Sequence, residues 1–386
     1  MKPKILYLCP NGYLGGAERF VLEANLIHLS QDLESEILFF SDGVAVTKAK
    51  EYGIKCRVLE NQFKFSKPLQ LFRSLKEINK MVIEENFSIV HSTMPYAHII
   101  SSLAFYYHPV KTVWFQHGPL GNVFDYIAPF FKSDALLFNT QYLKNDHENK
   151  LFQYFIPQFE KIVPYSINED LPESNKVVEI QNKLGSEKLR ILLLGRICPW
   201  KGYETAIMAI KRIISNQPAM KELIKVSVVG DVGRSEDIPY FDKVKALVSE
   251  NNLEENFTFW GQQNNPQNFM GAHHVFLHTS NIPEPFGLVV GEAMLSGALC
   301  VGSSVGGTPE MIIHGQTGFG FDTTDKNADD LLFPILDNIV NDFSKGRFEK
   351  SYGDLIKKGQ NHIQQNFSRE RLGRDLNDLY RKLLNL

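Results

Sequence analysis

The sequence predicts two doubly wound α/β domains, and three observations lead there. Short apolar runs alternate with amphipathic stretches of helical period along both halves of the chain, as parallel strands joined by crossover helices do. The pattern restarts at Leu189 after a polar stretch, residues 168–187, that reads as a linker. The 386 residues also exceed what one hydrophobic core serves, since single cores stop growing at about 250–300 residues. The expected boundaries are 1–167 for the first domain, 188–366 for the second and 367–386 for a final helix.

Composition narrows the class. With 43% hydrophobic and 22% charged residues the chain reads as an ordinary globular protein, and a formal net charge of −3 without a local basic stripe argues against a nucleic-acid partner. Cys9, Cys56, Cys198 and Cys300 are far apart, with no Cys-x-x-Cys pair and no histidine at metal spacing, so neither a disulfide framework nor a metal site is expected. No 18-residue apolar run or signal-peptide pattern appears, and a cytoplasmic location is the expectation.

Taken in order, Lys4–Cys9 is an apolar run ending at Pro10-Asn11-Gly12, and Gly15-Gly16-Ala17-Glu18 opens a periodic segment to Leu29: strand, glycine-rich loop, helix. Gly12, Gly15 and Gly16 lack the Gly-x-Gly-x-x-Gly spacing of a dinucleotide-binding turn, which disfavours a nicotinamide cofactor. Further strands are read at Ile37–Phe40, Ile89–Val90, Lys111–Phe115, Ala135–Phe138 and Lys161–Pro164, with helices over Leu69–Glu84, Ala97–Tyr107 and Tyr142–Lys150. Strand carboxyl ends in such sheets border the binding crevice. Polar clusters lie there, at His91-Ser92-Thr93, Gln116-His117-Gly118-Pro119 and Asn139-Thr140. The Gly-Pro turn after His117 is able to hold its ring over the crevice; a structural histidine is the plain alternative. Residues 63–82, with Phe63, Phe65, Lys67, Arg73, Lys76 and Lys80, read as a basic, aromatic-flanked helix suited to peripheral contact with an anionic membrane, or simply as a solvated face.

The second half opens with the strand Leu189–Gly195, then Arg196, and Pro199-Trp200-Lys201-Gly202 starts a helix through Ile214. Strands follow at Lys225–Gly230, Asn256–Gly261 and Val275–His278, and Phe367–Leu386 reads as a capped amphipathic helix with Ser368 as N-cap. Between them, Pro283–Ile313 does not read as a core segment. Pro285 and Gly287 break the strand and leave the N–H groups of Phe286, Gly287 and Leu288 at a helix N-terminus, an end suited to anions and hydroxyls. Glu284 can accept hydrogen bonds from sugar hydroxyls, and Glu292, eight positions on, can place both oxygens on a vicinal diol such as a ribose. A capping Glu284 and a solvent-facing Glu292 are the alternative.

Glu284-Pro285-Phe286-Gly287-Leu288, Glu292-Ala293-Met294, Ser296-Gly297 and Gly306-Gly307-Thr308-Pro309-Glu310 resemble, in order and spacing, the donor-site signature of the retaining glycosyltransferases of family four, the group 1 glycosyl transferases. These enzymes have the GT-B fold, two Rossmann-like domains facing a central cleft. The resemblance is most specific over residues 189–320 and looser over residues 1–165. It implies that Arg196 and Lys201 hold the donor diphosphate, two fixed cations that neutralise a leaving group without a metal. It further implies that Glu284 binds donor-sugar hydroxyls, that the turn Pro285–Leu288 lies against the donor, and that Glu292 binds the ribose. Gly15 and Gly16 would approach the diphosphate or the acceptor, and His117 would touch the sugar from the opposite wall. A base slot is implied near Phe259–Gln262, and the last helix would cross back onto the first domain. Three positions depart from the pattern: Tyr165-Ser166 stands where Asn-Gly is usual, Leu299 for Pro, and His314-Gly315 for Asp-Gly.

The expected reaction is transfer of a hexose-type sugar, with retention, from a nucleoside diphosphate sugar, UDP by family frequency, to a glycan or lipid-linked acceptor in cell-surface polysaccharide or glycoconjugate synthesis. No cofactor is expected beyond that co-substrate, and no divalent metal, because no Asp-x-Asp motif follows any strand. A nucleotide-sugar epimerase or hydrolase on the same fold and a non-catalytic nucleotide-sugar-binding subunit are the alternatives.

Overall fold

The computed structural model describes residues 3–150, 157–167 and 172–386, and these form two compact units. One runs to Ser166 and takes in Arg369–Leu386; the other is Ile167–Ser368.

The first unit is built on a parallel sheet of β1 (Lys4–Cys9), β2 (Glu34–Phe39), β3 (Cys56–Val58), β4 (Ile89–Thr93), β5 (Lys111–Gln116), β6 (Ala135–Phe138) and β7 (Phe159–Ile162), in the order β3-β2-β1-β4-β5-β6-β7. Helices cover both faces, so Ile5–Cys9 and Ala135–Phe138 are fully buried, which is why these strands read as unbroken apolar runs. The short edge strand β3 was not expected. Its three residues are half-buried and too few to show a period. The strand read at Lys161–Pro164 begins earlier, at Phe159.

The helix Arg369–Leu384 packs in this unit through buried Leu372, Leu376, Leu379 and Leu383, and it also carries a polar anchor. The Tyr380 hydroxyl meets both the Tyr7 hydroxyl and His91 Nδ1 at 2.8 Å, and the His91 ring stacks on Tyr7. His91, expected among the crevice-facing groups, is therefore a core residue: its ring stacks on Tyr7 and Nδ1 meets the Tyr380 hydroxyl, while Nε2 has no partner among the described residues. The basic helix is Pro68–Glu84. Its flanking aromatics turn inward, Phe63 stacking on Tyr96 at 5.7 Å and Phe65 lying 5.2 Å from Phe124, while Leu69, Phe72 and Ile83 are exposed apolar residues of the helix.

The second unit holds β8 (Leu189–Leu194), β9 (Ile224–Val229), β10 (Phe257–Gly261), β11 (Val275–His278), β12 (Leu299–Ser303) and β13 (Phe319–Phe321), parallel and in the order β10-β9-β8-β11-β12-β13. Residues 168–171 of the expected linker lie outside the described residues. The remainder is not a linker: Ser174–Leu184 is a helix with Ile180 and Leu184 buried, and the Glu173 N–H donates to Asn268 Oδ1 at 2.7 Å. Its polar surface hid an i, i+4 apolar pair. Strand order reverses between β1 and β4 and again between β8 and β11, and ligands of such sheets bind outside the carboxyl ends at the reversal.

Candidate functional site

In the second unit the reversal is framed by the two segments singled out from sequence. Beyond β8 the chain passes through Gly195 (φ 148°), and a Cβ on Gly230 would sit 2.0 Å from the Gly195 carbonyl oxygen, so two strand ends abut there. Arg196 leaves this junction exposed, its stem lying on Gly233, where a Cβ would come within 2.2 Å of Arg196 Cδ. The turn Pro199–Lys201 is stitched to the end of β11. Thr279 Oγ1 donates to the Lys201 carbonyl at 2.9 Å, Asn281 N to the Trp200 carbonyl at 2.9 Å and Asn281 Nδ2 to the Pro199 carbonyl at 3.1 Å. Gly202 (φ 60°) permits this approach, since a Cβ there would lie 2.3 Å from the Thr279 oxygen.

The stitching brings Lys201 to Glu284. Lys201 Nζ lies 2.6 Å from Glu284 Oε1, with both side chains about seven-eighths buried. The same oxygen accepts from His278 Nε2 at 2.9 Å and from Ser280 Oγ at 2.5 Å. Burial opposes ionisation of Glu284, but His278 and Lys201 outweigh it and hold its carboxyl well below the usual range. The Glu284 backbone is fixed as well: its carbonyl accepts from Gly307 N at 2.8 Å, and Gly306 (φ 80°) is so close that a Cβ would lie 2.6 Å from that oxygen. The Gly306-Gly307 pair thus serves the Glu284 turn.

Gly287 (φ 91°) then caps the helix Leu288–Leu295. Phe286 is a packing residue, buried with its ring against Phe367 at 5.8 Å, whereas Pro285 and Leu288 are half-buried. Glu292 is buried on the helix and does not face solvent, and Gly291 beside it packs on Ile167. Both cations lie at one indole: Lys201 Nζ is 4.5 Å and the Arg196 guanidinium 5.6 Å from the Trp200 ring.

The remaining candidates lie in the first unit. Gly15 N-caps the helix Gly16–Ser30, and its N–H donates to Glu18 Oε2 at 3.0 Å, so the Gly-Gly-Ala-Glu pattern has a capping role of its own. Gly16 is exposed and lies beside the Tyr165 ring. His117 follows β5, buried, its ring stacked on Phe115 at 4.1 Å and its Nδ1 2.5 Å from the Tyr165 hydroxyl. Burial pushes the imidazole down to about 3, so it is neutral in ordinary buffers.

Sequence reasoning missed His278, Ser280 and Tyr165. The signal that selected His117, a polar residue at a strand's carboxyl end, applies equally to His278, while the departure at Tyr165 carried no role. Among the described residues no helix is long and apolar enough to cross a membrane.

The family described as glycosyl transferases group 1 matches residues 176–362. N-acetyl-alpha-D-glucosaminyl L-malate synthase of Bacillus anthracis is 30% identical over 155 residues, 40% of this chain and 38% of that protein. Trehalose synthase of Pyrococcus horikoshii is 26% identical over 294 residues, 68% of this chain and 66% of its own. The alignments thus span less than two thirds of these relatives. Among solved structures, a glycosyltransferase from Rickettsia africae superposes with a TM-score of 0.85 at 20% identity, covering 99% of both chains. HepE of Anabaena, crystallised with UDP, gives 0.82 at 21% identity over 99% of this chain and 100% of its own. With two parallel-sheet units of this topology the chain has the GT-B fold, and the segment that carries Arg196, Lys201, Glu284 and Glu292 matches the group 1 glycosyl transferases over residues 176–362.

Proposed function

We propose that the chain transfers a hexose-type sugar from a nucleoside diphosphate sugar to a glycan or lipid-linked acceptor, with retention of anomeric configuration and without a divalent metal. The observation that carries this reading is the ionised Glu284, held by Lys201, His278 and Ser280 at the β8/β11 reversal. A carboxylate kept charged and still is an acceptor for sugar hydroxyls, and Arg196 and Lys201 supply positive charge for a departing diphosphate. Glu292 takes the ribose diol and the turn Pro285–Leu288 lines the donor; within the first unit, Gly15, Gly16 and His117 are the ligand contacts. None of these residues acts as a nucleophile. The leaving diphosphate accepts the acceptor's proton on the same face, which gives retention. UDP is the first nucleotide to test, because HepE of Anabaena was crystallised with UDP-glucose as well as with UDP. The exposed Leu69 and Phe72, beside Arg73 and Lys76, are the surface for peripheral contact with an anionic membrane, as suits a lipid-linked acceptor.

A thermal-shift panel of uridine, guanosine and adenosine diphosphate sugars tests the donor. A ligand at 100 times its Kd stabilises by about 2.7 kcal/mol, roughly 5–11 °C for a unit of this size. Product configuration is then read by NMR. No response to any donor would remove the proposal, and an inverted product would overturn the mechanism. Loss of transfer in EDTA, restored by Mn²⁺, would show that a metal neutralises the leaving group.

A further inference from the structure

We infer that Tyr165 sets the tautomer of His117: the phenol donates to Nδ1, so the imidazole carries its proton on Nε2 and offers a fixed N–H donor, not a base, to its ligand. Tyr165 is a positioning residue in this account and His117 the group that touches the ligand.

A neutral imidazole has one donor and one acceptor nitrogen, so the Tyr165 contact at Nδ1 decides what Nε2 is. A phenol hydroxyl is the stronger donor and a neutral imidazole nitrogen the stronger acceptor of this pair, so at 2.5 Å the hydroxyl hydrogen bridges to Nδ1. Asn139 Nδ2 donates to the His117 carbonyl at 3.4 Å and so helps to hold the backbone that carries the ring. The ring itself has little freedom, being stacked on Phe115 at 4.1 Å and flanked by Phe20 at 5.3 Å, while Phe20 also stacks on Tyr165 at 5.6 Å.

The other end of the ring is what the arrangement leaves over. Nε2 is buried and has no hydrogen-bond partner among the described residues, as at His91; but His117 stands just past the carboxyl end of β5, where a ligand oxygen is able to accept from it. The chemistry that fits is a neutral oxygen acceptor, a hydroxyl or a carbonyl. That this acceptor is a sugar hydroxyl rests on the proposed function; the tautomer does not. Because burial keeps the ring neutral far below pH 6, the donor is present across the working pH range.

Long-range ¹H–¹⁵N NMR of the full chain labelled at histidine tests this without reference to activity, with His117→Gln identifying the signals. The expected wild-type spectrum has a pyrrole-type Nε2 and a pyridine-type Nδ1, unchanged between about pH 5.5 and 8. A pyrrole-type Nδ1 would overturn the inference, as would a ring that titrates in that range. Tyr165→Phe keeps the ring and removes the hydroxyl. It is expected to alter the Nδ1 signal and to lower kcat about 10-fold with KM changed less than about 2-fold. An unaltered spectrum, or unaltered kcat beside the expected spectrum, would refute the positioning role. If no donor is ever turned over, the wild-type spectrum still decides the tautomer.

Discussion

Replacing Lys201 by Met isolates the interaction that defines the site. The change keeps the stem's length and packing but leaves Glu284 Oε1 with only His278 Nε2 and Ser280 Oγ as partners. Breaking a fully buried ion pair from one side costs about 3–5 kcal/mol, because a charge is stranded. Here the side chains are 12% and 13% exposed and two hydrogen bonds remain, which puts the expected loss lower, at about 2–3 kcal/mol. On a unit of roughly 200 residues this corresponds to a fall in Tm of about 4–12 °C. Glu284→Gln removes the charge from the other side, and the double variant should recover about 1 kcal/mol or more of the summed losses, since the two residues share one contact. Urea titrations of the four proteins, followed by fluorescence of Trp200 and Trp260 in the same unit, give the cycle. The carboxyl should also rise toward ordinary values in Lys201→Met. Because its folded-state value is depressed, the stability it contributes is present above the unfolded range near 4.5 and lost as pH falls below it; in Lys201→Met that contribution is smaller and its loss is complete at a higher pH. If Lys201→Met lay within about 0.5 kcal/mol of wild type, or the double variant were additive, Lys201 would not be what holds Glu284.

Gly306→Ala and Gly315→Ala share a left-handed backbone but not surroundings: a Cβ at 306 meets the Glu284 oxygen at 2.6 Å, whereas at 315 there is open space. The first should cost about 1–2 kcal/mol more than the second and weaken donor binding, and equal losses in urea and calorimetry would show that Gly306 does not position the turn. Glu292→Ala should weaken binding of the free nucleoside diphosphate, while Glu284→Ala should leave that binding nearly intact and reduce transfer; calorimetry giving equal losses would sink the division of roles. Burial lowers His28, His98 and His273 to about 4 and His117 and His274 to about 3, so the unfolded chain binds more protons below its own value near 6.5. Stability should therefore fall as pH drops from 6.5 to 5, a window above the carboxylates, with a slope of up to about 1.4 kcal/mol per pH unit for each buried ring; urea midpoints flat across it would mean that these rings are solvated.

Periodicity alone was enough for most strands of both parallel sheets, β12 and β13 having gone unread, because strands covered on two faces must be apolar throughout and their helices must be striped, and each leaves a mark on neighbouring positions. The Glu284–Leu288 turn was legible for the same local reason: Pro285 and Gly287 fix backbone geometry wherever they stand. Short or weakly buried pieces such as β3 and the helix Ser174–Leu184 left no such mark. What only tertiary structure decided is which distant groups meet. Lys201 and Glu284 are 83 positions apart and were assigned to different parts of a ligand, yet they form an ion pair because hydrogen bonds from the Thr279 hydroxyl and the Asn281 N–H to the carbonyls of Lys201 and Trp200 close one loop on the other. His278 and Ser280 joined them only once β11 was placed beside β8, and Tyr165 met His117 only once β5, β6 and the chain beyond β7 lay side by side. Local chemistry specifies backbone conformation over a few residues, whereas the partners of a buried charge or a ring nitrogen are set by strand order, which no single stretch of sequence contains.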